Sequence, residues 1–133
     1  MIHRALAIGR WAVEFFFAED GYDADVLIDR LYDFGADVAT MRQAADLMES
    51  GLPNTGFTFA NQLERLAIVA VGPTTSGDEF LDTFVHEVRH LADSIAENLG
   101  LALDSEGPAY ISGDSARALA GIICELGCGR CRA

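Results

Sequence analysis

Hydrophobic residues crowd positions 2–17, ending in Phe15-Phe16-Phe17, with an interruption at Gly9-Arg10. A run this rich in Ile, Leu, Val, Phe and Trp predicts one long strand or a hairpin. Successive strand side chains point to opposite faces, so three consecutive phenylalanines predict a strand covered on both sides. From Asp23 to Phe34 the period changes. Val26, Leu27, Leu31 and Phe34 recur near helical spacing, and Gly35 supplies a stop. A second helix is expected over Asp37–Glu49, with Val38, Met41, Ala45 and Met48 on one stripe, ended by Gly51-Leu52-Pro53-Asn54. Residues 55–71 read as two strands joined near Asn61-Gln62. The continuously apolar second one, Leu66 to Val71, is expected to be buried. Gly72 to Gly77 is a loop.

Asp78–Asn98 carries the clearest helical pattern. Leu81, Phe84, Val85, Val88, Leu91, Ala92, Ile95 and Leu99 form a stripe at three- and four-residue spacing, and Gly100 sits where the helix would end. A last helix is predicted from Asp104-Ser105-Glu106 through Tyr110, Ile111, Ala116, Leu119 and Ile122 toward Leu126. Asp104 is its candidate cap, Pro108 lies in its first turn and Gly113 is a weak point. These elements predict an α+β fold in which a small, mostly antiparallel sheet packs against helices. A chain of 133 residues, half of them hydrophobic, holds one domain. Within 1–133 it divides into 1–54 (strands and two helices), 55–123 (the core of the motif described next) and 124–133 (a cysteine-containing tail).

Charge narrows the function classes. With 21 acidic residues against 9 basic ones, the formal net charge is −12. Such a surface repels phosphate backbones, so no nucleic-acid partner is expected. No segment reaches the roughly 18 apolar residues of a membrane span, and no membrane partner is expected. The first nine residues lack an evident small-residue cleavage site and read as a strand. Three cysteines crowded into the last ten positions do not resemble a secreted disulfide framework. A cytoplasmic protein is the expectation.

The chemistry concentrates in His86-Glu87-Val88-Arg89-His90. Histidines four apart on a helix project from one face, one turn apart, and two imidazoles so placed can share a tetrahedral zinc ion. Glu87 lies about 100° around the helix from His86, beside such a metal without ligating it. There a carboxylate can act as general base toward a water that the metal activates. His86, His90, Asp93 and Glu97 share the side opposite the apolar stripe. Catalytic zinc generally has three protein ligands. Glu97 lies too far along the helix, about 10 Å beyond His90. Asp93 is placed to support His90 or to pair with Arg89 at four-residue spacing. If the chain doubles back at Gly100, Glu106 is the favoured third ligand and Asp104 its rival.

This pattern resembles the gluzincin group of zinc peptidases, in which a His-Glu-x-x-His helix is followed by a helix bearing a glutamate ligand. Glu106-Gly107-Pro108-Ala109-Tyr110-Ile111-Ser112-Gly113 is also similar to a stretch in small metallopeptidases of gut bacteria and their phages. The resemblance covers roughly residues 55–120. It implies a minimal zincin-like domain with zinc on His86, His90 and Glu106 and with Glu87 as general base. Two positions depart from the usual pattern: Arg89 is charged, and Tyr110 stands where the glutamate helix usually has Asp. The resemblance also places an edge strand above the cleft, pairing with an extended peptide. The apolar run 66–71 is then either central or paired with Thr55–Ala60.

Tyr110, four residues past Glu106, is a candidate to stabilise an oxyanion. Its alternative is packing between helices. Cys124, Cys128 and Cys131, spaced C-x3-C-x2-C, are candidates for a second metal site that lacks a fourth ligand; otherwise Cys124 is a buried thiol. His3 is expected at a strand surface without a role. The expected activity is zinc-dependent hydrolysis of a peptide or protein substrate. The alternative is a non-catalytic zincin-like structural or interaction protein, as from a phage or other mobile element, whose metal braces the fold. A third reading uses the acidic helices 23–49 as a regulatory binding surface.

Overall fold

The computed structural model describes residues 1–101 and 106–127. Ile2–Ile8 (β1) and Trp11–Phe17 (β2) form a hairpin about Gly9-Arg10, where Gly9 takes φ +59°. Helices Ala24–Asp33 (α1) and Val38–Ser50 (α2) follow. Asp23 and Asp37 cap them, each accepting a hydrogen bond from the backbone N–H three residues on. Strands Gly56–Asn61 (β3) and Leu66–Val71 (β4) precede the long helix Gly77–Asn98 (α3), capped by Ser76. Glu106–Ala118 (α4) and Ala120–Gly127 (α5) complete the described chain.

The sheet order is β1-β2-β4-β3. β1 and β2 are antiparallel, β2 and β4 parallel, β4 and β3 antiparallel, so the sheet is mixed and the fold is α+β. β4 is central, as its unbroken apolar run requires, and β3 is its neighbour at the sheet edge. The phenylalanine triplet divides as alternation dictates. Phe15 and Phe17 face α3 together with Phe80, Phe84, Val88 and Leu91. Phe16 faces the α1–α2 layer with Leu27, Leu31 and Phe34.

Three expectations about helices are corrected. The buried face of α3 is rotated from the predicted stripe. Phe80, Thr83, Glu87 and Ala96 are inside, whereas Leu81 and Val85 (63% exposed) are outside. In α2 the buried position is Ala44, with Met41, Ala45 and Met48 half-buried and Val38 in solvent. The last helix breaks at Leu119 and not at Gly113. Leu119 is buried in the sheet–helix core, and α5 turns to pack on α3, with Gly127 against Leu81 and Phe80.

His3 has a role that its sequence position does not announce. Its ring stacks on Phe16 at 4.5 Å, and its Nε2 lies 2.6 Å from Glu14 Oε1. Glu14 is buried in mid-sheet and also receives Arg30 of α1 through both Nε and Nη2. The carboxylate beside it pushes the Arg30 guanidinium pKa further up. A buried carboxylate is tolerated only when paired and hydrogen-bonded, and this trio ties α1 to the sheet. No helix among the described residues is long and apolar enough to cross a membrane.

Candidate metal centre

The two motif histidines share one face of α3, as four-residue spacing on a helix demands, and that face is exposed. Their Nε2 atoms are 3.2 Å apart and their rings nearly perpendicular, at 82°. Two imidazole nitrogens held about 2.0–2.1 Å from one tetrahedral ion lie roughly 3.3 Å from each other. The pair therefore fits the spacing of zinc donors. The same contact is a hydrogen bond when one ring carries its proton on Nε2 and the other does not.

Glu87 occupies the neighbouring helix position but faces the sheet. It is 5% exposed. Thr58 of β3 supplies its contact: the hydroxyl lies 3.0 Å from both the Glu87 carbonyl and its Oε1, and its single proton serves one of them at a time. Strand alternation explains the encounter. Phe57 and Phe59 pack with the α1–α2 layer, so Thr58 between them must point toward α3. Gly56 makes room for the carboxylate. A Cβ there would fall 3.1 Å from Glu87 Cγ and 2.4 Å from the Ala70 carbonyl oxygen.

Tyr22 approaches from the end of the sheet. Its hydroxyl lies 3.4 Å from the Thr55 carbonyl oxygen and against Gly72, where a Cβ would come within 2.5 Å. Burial, then the charge of Glu87, pushes the phenol up to about 12. His86 and Glu87 share a cavity of about 320 Å³ with Asp82, Thr83 and the 54–56 segment that leads into β3. Thr58, Gly56, Tyr22 and Asp82 are thus site residues that motif reading missed. The alternation Phe57-Thr58-Phe59 was the one available signal, since it sets Thr58 apart from its aromatic neighbours.

The remaining candidates are more scattered. Glu106 opens α4, a helix that packs on α3, but its side chain is in solvent. Among the described residues no group of three His, Cys, Asp or Glu is close enough to hold a metal, so Glu106 does not join the histidine pair in this arrangement. Asp104 lies outside the described residues. Tyr110 is 70% exposed. That exposure corrects the packed inter-helix position considered for it, because Pro108, Ile111 and Ser115 turn inward from α4 and Tyr110 does not. Arg89 Nε pairs with Asp93 Oδ1 at 2.8 Å, one turn apart. Cys124 is disulfide-bonded; Cys128 and Cys131, the other candidates for a second metal site, lie outside the described residues. No protein-family model, curated protein or solved structure matches the chain.

Proposed function

We propose that the chain is a zinc-dependent hydrolase acting on peptide bonds, with His86 and His90 as two of the metal's ligands. The observation that carries this reading is the 3.2 Å separation of the two Nε2 atoms, one residue away from a carboxylate held by a strand hydroxyl. Glu106 is proposed as the third ligand and Asp104 as its rival. Zinc, when bound, would lower the pKa of a water and polarise the scissile carbonyl. Glu87 would take the proton from that water and hand it to the leaving amine, with Thr58 orienting the carboxylate. Tyr110, exposed on α4, is proposed as a group that would stabilise the substrate oxyanion.

The arrangement of β3 supports a peptide as substrate. It is an edge strand with one side unpaired among the described residues, and it lies beside the motif helix. An extended peptide can add to such an edge by main-chain hydrogen bonds. The wall of the small cavity at His86 also includes Asn54 and Thr55, which suit a polar backbone.

One observation favours the second reading, in which the metal braces a non-catalytic fold. Glu87 is buried and engaged with Thr58, as a purely structural carboxylate would be. The Glu87→Gln variant separates the two. In the enzyme reading it folds, keeps its zinc and loses hydrolysis of a fluorogenic peptide library by roughly 10²–10⁴-fold. A zinc-loaded wild type without hydrolysis, matched by Glu87→Gln in every property, favours the bracing role.

A further inference from the structure

A second cavity, of about 340 Å³, opens at the other end of α3, between the β1–β2 turn, the C-terminal part of α3 and α4. Its wall is made of Ile8, Trp11, Ile95, Leu99 and Ile111, and among the described residues its only charged lining is Arg10 and Arg65. In a chain of net charge −12, two of the 9 basic residues thus meet at one apolar pocket that no acid lines among the described residues. Neither guanidinium is fully used. Arg65 spends Nε on Asn98 Oδ1, at 3.2 Å, and Asn98 in turn donates to the Gln62 carbonyl, which fixes the arginine's direction. Its two terminal nitrogens have no partner among the described residues, and the Arg10 side chain has none at all there. Arg65 is held at φ +56°, a left-handed backbone that a non-glycine residue adopts only when its surroundings impose it.

Trp11 lines the same pocket. It is 2% exposed, and its Nε1 donor has no acceptor among the described residues. A buried indole N–H normally has a partner. The volume falls at the lower end of the range for small-molecule sites, where apolar walls and a few placed polar groups combine.

We propose that this pocket binds a small free carboxylic acid with an apolar tail. The head group lies between Arg10 and Arg65, and the tail runs along Trp11, Ile95 and Ile111. Guanidinium pairs match a carboxylate in geometry and charge. Apart from the arginines, the described residues of the wall offer no polar side chain to a peptide backbone, whose amides would be buried unpaired; this favours a free acid over a peptide C-terminus. The proposal is independent of the His86 site, and chelators should not affect it.

Trp11 is the chain's single tryptophan, so its emission reports on this pocket alone. The test titrates the full chain with octanoate, octanol, octylammonium and N-acetyl-leucine while that emission is followed. Saturable binding of octanoate is expected, at least about tenfold tighter than octanol or octylammonium, with a matching rise in melting temperature. The double variant Arg10→Gln, Arg65→Gln should weaken octanoate about tenfold or more and leave octanol unchanged. Both residues are exposed, so the variant should fold, and an unchanged melting temperature without ligand checks this. An emission that no ligand changes saturably overturns the proposal. Equal binding of octanoate and octanol, or indifference to the double variant, also overturns it. N-acetyl-leucine binding more tightly than octanoate would overturn the free-acid assignment.

Discussion

At the scale of single residues, the site depends on how one carboxylate is held. Glu87 sits between a helix that sends its histidines outward and a strand that sends Thr58 inward, and it takes the strand's hydrogen bond. Thr58→Val keeps the shape of the side chain and removes that donor. It should lower stability by about 1–3 kcal/mol, since a hydrogen bond to a buried charged group is lost. Urea denaturation measures this directly, and in the hydrolase reading turnover falls with it while zinc content does not. Tyr22 gives a second prediction. Its phenol is raised from 10.0 to about 12 in the fold, by burial first and by Glu87 second. A group whose folded pKa lies above its unfolded value contributes stability below the unfolded pKa and loses it as pH rises through the folded one. The denaturation midpoint should therefore fall between pH 10 and about 12. Tyr22→Phe should flatten the part of that fall that Tyr22 causes. An identical pH profile in wild type and variant would contradict the assignment.

At the scale of elements, β3 and α3 define the site between them, and glycine sets how closely they approach. Gly56→Ala would press a methyl group onto the Ala70 carbonyl and toward Glu87. Forced shifts of this kind cost about 1–3 kcal/mol, so the variant should melt below wild type. An unchanged melting temperature would mean that β3 adjusts freely at its start. The elements themselves were largely legible in the sequence. Period-3.6 patterns located α1, α2 and α3 to within a residue or two, because burial of one face imposes that period, and the unbroken apolar run located β4, whereas residues 2–17 left a long strand and a hairpin both open. What failed was rotation and continuity. Val85 satisfies the helical stripe yet lies in solvent, and Glu87 breaks the stripe yet lies inside. The partner that decides this is Thr58, 29 residues earlier, and helix periodicity carries no information about it. The break at Leu119 was equally hidden, because the demand comes from the core that Leu119 fills and not from a local breaker. Within the site, the spacing of His86 and His90 was readable in full, since it is a property of one helix. The position of Glu106 was not, because it depends on how α4 returns to α3.

At the scale of the whole molecule, one helix serves two regions of opposite chemistry. Its middle carries the histidine pair and Glu87 beside an open sheet edge, and its C-terminal end borders an apolar pocket with two arginines. The central claim is that His86 and His90 hold zinc. It is tested most directly by elemental mass spectrometry of the purified chain after zinc loading and desalting, on wild type, His86→Ala and Glu106→Ala together. The account predicts about one zinc per chain in wild type, none in His86→Ala and a weakened or lost ion in Glu106→Ala. A zinc-loaded wild type that retains no metal, or a His86→Ala variant that retains as much as wild type, would contradict it.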